Sequence, residues 1–109
     1  MNLGYYTTVH GLGKTPYDTT LGNLMVLNGD YAQSGGALAN FWRSAENVHV
    51  VPDGPMIWAV SQAAPMRRIA VDGDLNLFHY NPPNPGAGYA SGGYMADTFV
   101  SGTIISGSQ

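Results

Sequence analysis

Apolar residues along this chain gather in short runs separated by glycine, proline, asparagine and aspartate, and no stretch repeats them at the spacing of an amphipathic helix. The clearest runs lie at 24–27, 48–51, 56–60, 69–71, 75–78 and 99–105, each of strand length and rich in Val, Ile, Leu and aromatic residues. The pattern predicts an all-β protein.

Three of these runs are followed within two or three residues by a glycine, at Gly29, Gly54 and Gly73, and a fourth lies across one, Gly102. The intervals are 25, 19 and 29 residues, and the longest contains Asn81-Pro82-Pro83-Asn84-Pro85-Gly86-Ala87-Gly88, which reads as a loop inserted into a shorter repeat. A repeat of roughly 20–30 residues, each a strand or two plus turns, is what a solenoid stacks coil upon coil. Asn28-Gly29 and Asp72-Gly73 are equally hairpin signals, pairing 24–27 with the segment from Tyr31 and 69–71 with 75–77 in an antiparallel β-sandwich. The pattern alone leaves both architectures open.

The length of 109 residues is read as one unit, 1–109. Its four basic residues, Lys14, Arg43, Arg67 and Arg68, stand against seven acidic ones and form no basic run, so no nucleic-acid partner is expected. Only 10% of residues are charged and 15 are glycine, so the polar surface consists largely of neutral hydrogen-bonding groups. Such a surface suits sugars, and it also suits self-association, because little charge repels a second copy. There is no cysteine and therefore no thiolate chemistry or disulfide framework. The first residues lack a basic stretch followed by an apolar core, and no run is long enough to span a bilayer as a helix; neither an export signal nor a membrane partner is expected.

Four ordered segments, LGYYTTVHGLG at 3–13, NFWRSAENV at 40–48, WAVSQAAPMRR at 58–68 and GYASGGYMAD at 88–97, resemble one stretch of a family of large secreted bacterial and fungal proteins. These have a pectin-lyase-like right-handed parallel β-helix and are similar to β-helical glucan hydrolases. The resemblance implies a β-helix piece of a few coils, truncated at both ends, from a parent acting on carbohydrate. It carries no catalytic motif over to these segments. Open coil ends imply self-association, so the expected function is a self-associating structural solenoid without a complete active site. The alternative is a glycan-binding or glycoside-hydrolysing β-helix segment.

Asp72 and Asp74 are the weak catalytic candidates: at i and i+2 on an extended strand they would share a face about 6.6 Å apart, near the lower end of the carboxylate separation in inverting glycosidases. The competing reading of Asp72-Gly73-Asp74 is an ordinary turn. In the first reading Asn76 and Tyr80 extend that face and Asp97 joins it from the next coil. Three carboxylates brought together this way would suit calcium, but no acidic loop accompanies them and no metal is expected. His10, His49 and His79 lack zinc spacing and are expected at the surface. Ser61, Ser91 and Ser106 lack the setting of a nucleophile. Gly11-Leu12-Gly13-Lys14-Thr15 has the wrong glycine spacing for a phosphate loop, and no nucleotide or other cofactor is expected. Sugar stacking falls to the aromatics, with Trp42, Tyr80, Tyr89 and Tyr94 as the substrate-binding candidates and Trp58 expected in the core.

Overall fold

The computed structural model describes residues 1–27, 40–79, 88, 90, 92–106. Among these, every paired strand is parallel to its neighbours. Eleven short strands follow one another as β1 (Thr7–His10), β2 (Thr20–Leu21), β3 (Arg43–Glu46), β4 (His49–Val50), β5 (Met56–Ile57), β6 (Pro65–Arg67), β7 (Ala70–Val71), β8 (Leu75–Asn76), β9 (Tyr94–Ala96), β10 (Phe99–Val100) and β11 (Ile104–Ile105). One turn of 3-10 helix, Pro16–Asp18, precedes β2.

The strands sort into three sheets. Sheet one is β1-β3-β6-β9, sheet two is β2-β4-β7-β10 and sheet three is β5-β8-β11. Bridges Asn2↔Met25 and Val26↔Trp58 extend sheet three towards the N-terminal end. The chain thus visits the three sheets in fixed order and returns to the first, laying each circuit beside the one before. Four circuits are counted along sheet one.

Short strands hold because each lies in register with its equivalent. Val9, Ala45, Met66 and Met95 form one inward column. Leu21, Val50, Val71 and Val100 form the second, and Met56, Leu75 and Ile104 the third. Ala45, Met66, Val50, Val71, Met56 and Leu75 belong to one buried cluster together with Leu3, Leu24, Val48, Trp58 and Ile69. Trp58 is in the core as expected, its indole N–H donating to the Ala64 carbonyl at 3.2 Å.

The antiparallel sandwich is overturned by this pairing. Asp72-Gly73 does not close a hairpin; it carries the chain from β7 in sheet two to β8 in sheet three, and Gly54 and Gly102 occupy the same turn in the neighbouring circuits. The Gly102 N–H donates to the Gly73 carbonyl at 3.0 Å, a backbone approach that a side chain on Gly102 would block. Asn28-Gly29, Tyr31 and the inserted segment 81–87 lie outside the described residues.

From the second circuit onward the turns from sheet one to sheet two are tight, with one residue in the left-handed region: Asn47 (φ 57), Arg68 (φ 51) and Asp97 (φ 49). The Asn47 side chain donates to the Gly11 and Gly13 carbonyls at 2.9 and 2.8 Å, fastening the first connection to the second circuit. Gly11 lies so close to the Asn47 carbonyl that an added Cβ would overlap it.

Candidate functional site

The outward positions of sheet one make the most differentiated surface among the described residues. Alternation along each strand turns Val9, Ala45, Met66 and Met95 inward and leaves two columns outside. Thr8, Ser44, Pro65 and Tyr94 form one; His10, Glu46, Arg67 and Ala96 form the other.

The first column is uncharged. The Ser44 hydroxyl donates to Thr8 Oγ1 at 2.9 Å. At its edge, Tyr6 and Trp42 precede β1 and β3, and both have left-handed backbones, φ 55 and φ 54. A non-glycine residue in that region costs roughly 1–2 kcal/mol. Here the position holds two large aromatics, 83% and 57% exposed. Their rings lie within 13° of parallel with centroids 6.4 Å apart, and the Tyr6 N–H donates to the Trp42 carbonyl at 2.6 Å. Tyr6, Thr8, Trp42, Arg43, Ser44, Ala63 and Pro65 line a surface depression of about 440 Å³.

Arg43 braces this platform from beneath. Its guanidinium lies 4.7 Å from the Tyr5 ring centroid, while Nη1 donates to the Leu3 carbonyl at 2.8 Å and Nε to the Phe41 carbonyl at 3.1 Å. Burial lowers its pKa from the ordinary arginine value, and Tyr5 partly opposes the shift. An arginine remains cationic at neutral pH despite such lowering.

The second column carries polar and charged side chains of this face. His10 Nδ1 is 3.6 Å from Glu46, Glu46 is 4.0 Å from Arg67, and Arg67 Nε donates to Asp97 at 3.2 Å. These are exposed contacts of small individual weight. They leave Arg67 engaged by two carboxylates.

A further cluster sits on the outside of sheet two. His49 Nε2 is 3.0 Å from Asp72 Oδ2, its Nδ1 is 3.2 Å from Thr20 Oγ1, and the Tyr17 ring packs 4.9 Å away. With Nε2 protonated, the ring donates to Asp72 and accepts from the Thr20 hydroxyl. One residue from each of three successive circuits is thereby joined.

The predicted site residues are therefore dispersed. Asp72 and Asp74 do not share the face of an extended strand: they flank Gly73 in a turn. Asp72 faces His49, whereas Asp74 Oδ1 accepts the Thr103 N–H at 2.8 Å. Asn76 does not extend an exposed carboxylate face, because it is buried. Asp97 lies in the turn after sheet one, away from that pair, and among the described residues no three His, Cys, Asp or Glu side chains gather as a metal site. Trp42 and Tyr94 are exposed on sheet one, whereas Tyr80 and Tyr89 lie outside the described residues. Tyr6, one of the aromatics open to sugar stacking, lies on this surface, and Glu46 and Arg67 join it without having been singled out. Their signal is the register, which sets residues 36, 21 and 29 apart beside one another.

No protein-family model matches the chain. It is 47% identical over 103 residues to an exo-beta-1,3-glucanase of Streptomyces sp. (strain SirexAA-E / ActE), a match covering 94% of this chain and 16% of the relative. The solved structure of sacteLam55A from Streptomyces sp. SirexAA-E superposes with a TM-score of 0.80 at 48% identity, covering 94% of this chain and 18% of that one. The chain spans about a sixth of the length of the curated relative. Over nearly all its own length it is thus similar, in sequence and backbone, to one stretch of a glucan hydrolase.

Proposed function

We propose that this chain is a right-handed parallel β-helix segment of a protein acting on β-1,3-glucan, and that sheet one's outer face holds the polysaccharide without cleaving it. The observation carrying this reading is the exposed, near-parallel pair Tyr6 and Trp42 beside the Thr8 and Ser44 hydroxyls. Aromatic faces cover the apolar CH face of a pyranose, and neutral hydroxyls exchange hydrogen bonds with its rim. Tyr94, further along the same column and exposed, extends the platform. The strained backbone at Tyr6 and Trp42 supports a functional demand for their side chains, since glycine would relieve the strain.

Binding is favoured over hydrolysis because, among the described residues, no carboxylate lines the depression. Asp72 and Asp74 are assigned to fixing the turn through His49 and Thr103. The similarity to the exo-beta-1,3-glucanase supplies the expected ligand. Neutral glucan also fits this face, where Arg43 donates to two backbone carbonyls and Arg67 meets two carboxylates.

Intrinsic tryptophan fluorescence tests the proposal directly. Of the two tryptophans, Trp58 is buried and Trp42 exposed, so soluble β-1,3-glucan should shift emission through Trp42. Trp42→Ala should remove the shift and weaken calorimetric binding by about tenfold, the scale of one aromatic contact. Polygalacturonate should give no shift. Absence of glucan binding, or undiminished binding by Trp42→Ala, rejects the site.

A further inference from the structure

The corner that enters sheet one is built alike in three consecutive circuits and filled differently. Tyr6 and Trp42 immediately precede the paired residues Thr7 and Arg43, and counting back three from the pair Ala45↔Met66 sets Ala63 opposite Trp42. All three have left-handed backbones, φ 55, 54 and 50. One backbone conformation repeated in register directs the three side chains the same way. The pair Pro65↔Tyr94, counted back two, sets Gly92 opposite Ala63. Along this column the residues therefore run Tyr, Trp, Ala, Gly: two large aromatics, then a methyl group and a hydrogen.

The backbone at 63 does not itself demand a small residue, since the same conformation carries Trp42 one circuit earlier. Ala63 is exposed, and it has a circuit on either side, so it faces the lateral surface of the stack and neither of its ends. The depression of about 440 Å³ lies where Trp42 gives way to Ala63, and Ser44 and Pro65 also line it.

On the reading of this face as a glucan platform, we propose that Ala63 sets its linkage preference: the gap there admits the bent chain of a β-1,3-linked glucan and disfavours the straight ribbon of a β-1,4-linked one. Tyr6 and Trp42 stand in adjacent circuits, so the platform runs along the stack, across the strands. Neighbouring strands are about 4.8 Å apart, which is of the order of one pyranose unit, so successive sugar rings meet successive circuits. A ring over Trp42 is covered by the indole. The next ring, over Ala63, meets no aromatic face at that height. A β-1,3 linkage curves the chain and lets this ring descend to the apolar ring of Pro65 and the hydroxyl of Ser44. A β-1,4 linkage keeps successive rings on one axis and holds it above the gap, where stacking is lost. Two chains of identical composition are thereby told apart by unequal contact.

Calorimetric titration of the complete chain with β-1,3-linked and β-1,4-linked gluco-oligosaccharides of equal length tests this, because it compares two ligands on one protein. The unmodified chain should bind the β-1,3 series at least about tenfold more tightly, the scale of one aromatic contact. Ala63→Trp continues the aromatic column through the gap and should bring the two dissociation constants to within about threefold of each other. Ala63→Leu should move their ratio in the same direction by less, and it decides the matter where circular dichroism shows the tryptophan variant unfolded. Ala63→Gly keeps the gap and relieves the backbone, so the ratio should stay unchanged. A merely structural role for Ala63 would move both affinities together and leave the ratio as it was. Equal or reversed affinities in the unmodified chain, or a ratio kept by both Ala63→Trp and Ala63→Leu, overturns the assignment of Ala63 while Trp42-dependent glucan binding leaves the platform standing. Binding of neither series rejects the platform and this inference with it.

Discussion

Leu75 and Ile104 occupy one position in adjacent circuits, and so do Val71 and Val100 and Met66 and Met95, yet the first of each pair is sealed and the second is open to solvent to varying degrees. The side chains are of one kind. What differs is whether a further circuit lies above them, so burial in this fold is conferred by the neighbouring strand more than by a residue's own strand. The largest expected effect follows. Leu75→Ala opens a cavity with neighbours on every side and should cost about 3 kcal/mol, within the range for buried leucine. Ile104→Ala deletes atoms already in contact with water and should cost less than about 1 kcal/mol. Urea denaturation at dilute protein compares the two, and equal losses would break the contrast.

Turns after sheet one sharpen the comparison because circuits solve the same bend differently. Asn47, Arg68 and Asp97 all take positive φ, but only Asn47 is buried with its amide on two carbonyls of the preceding connection. Asp97 lies in the open fourth circuit and meets Arg67 across an exposed contact. Asn47→Gly relieves the backbone but strands two carbonyls, with an expected loss of about 1–3 kcal/mol. Asp97→Gly gains the same relief and gives up only a surface pair, so the net change should stay within about 1 kcal/mol. Thermal unfolding of both variants tests this, and a larger loss at Asp97 would show that exposure does not rank these turns.

The same dependence on neighbours decides what the sequence reveals. The apolar runs at 48–51, 56–60, 69–71 and 75–78 contain β4, β5, β7 and β8, and the glycine intervals of 19 and 29 residues match the register of sheet three. The run at 99–105 divides at Ser101-Gly102 into β10 and β11, and 24–27 is reduced to bridges at Met25 and Val26. Sheet one has no such signature. Thr7–His10, Arg43–Glu46 and Pro65–Arg67 are mostly polar, one begins with proline, and each turns a single apolar residue inward. They are strands because a parallel neighbour lies beside them, a fact absent from local composition. The four segments carrying the family resemblance each contain one sheet-one strand, so resemblance located what periodicity missed. The candidate surface was legible only in part. Trp42 and Tyr94 are visible as aromatics among polar residues, but their alignment with Tyr6, Thr8 and Ser44 depends on a register that insertions make irregular.

The smallest expected effect concerns acid stability and tests the boundary between the two circuits. His79 follows β8, is half-buried, and leads into the segment preceding the fourth circuit. Its backbone carbonyl accepts the Gly88 N–H at 2.8 Å, which ties the two sides of that segment together. Burial lowers the pKa of its imidazole below the ordinary histidine value, because desolvation disfavours the charged ring. The unfolded chain therefore binds this proton at higher pH than the folded chain. Its contribution to stability is complete above the unfolded value of about 6.5 and is lost as pH falls from there towards the lowered folded value. His79→Gln removes the titration while keeping a polar side chain of similar reach. Melting temperatures measured from about pH 7.5 to about pH 5 should fall more steeply for the unmodified chain than for His79→Gln, with the curves separating below about pH 6.5. Parallel curves would mean that His79 is solvated as freely as the open face of the fourth circuit, moving the edge of the protected interior back to β8.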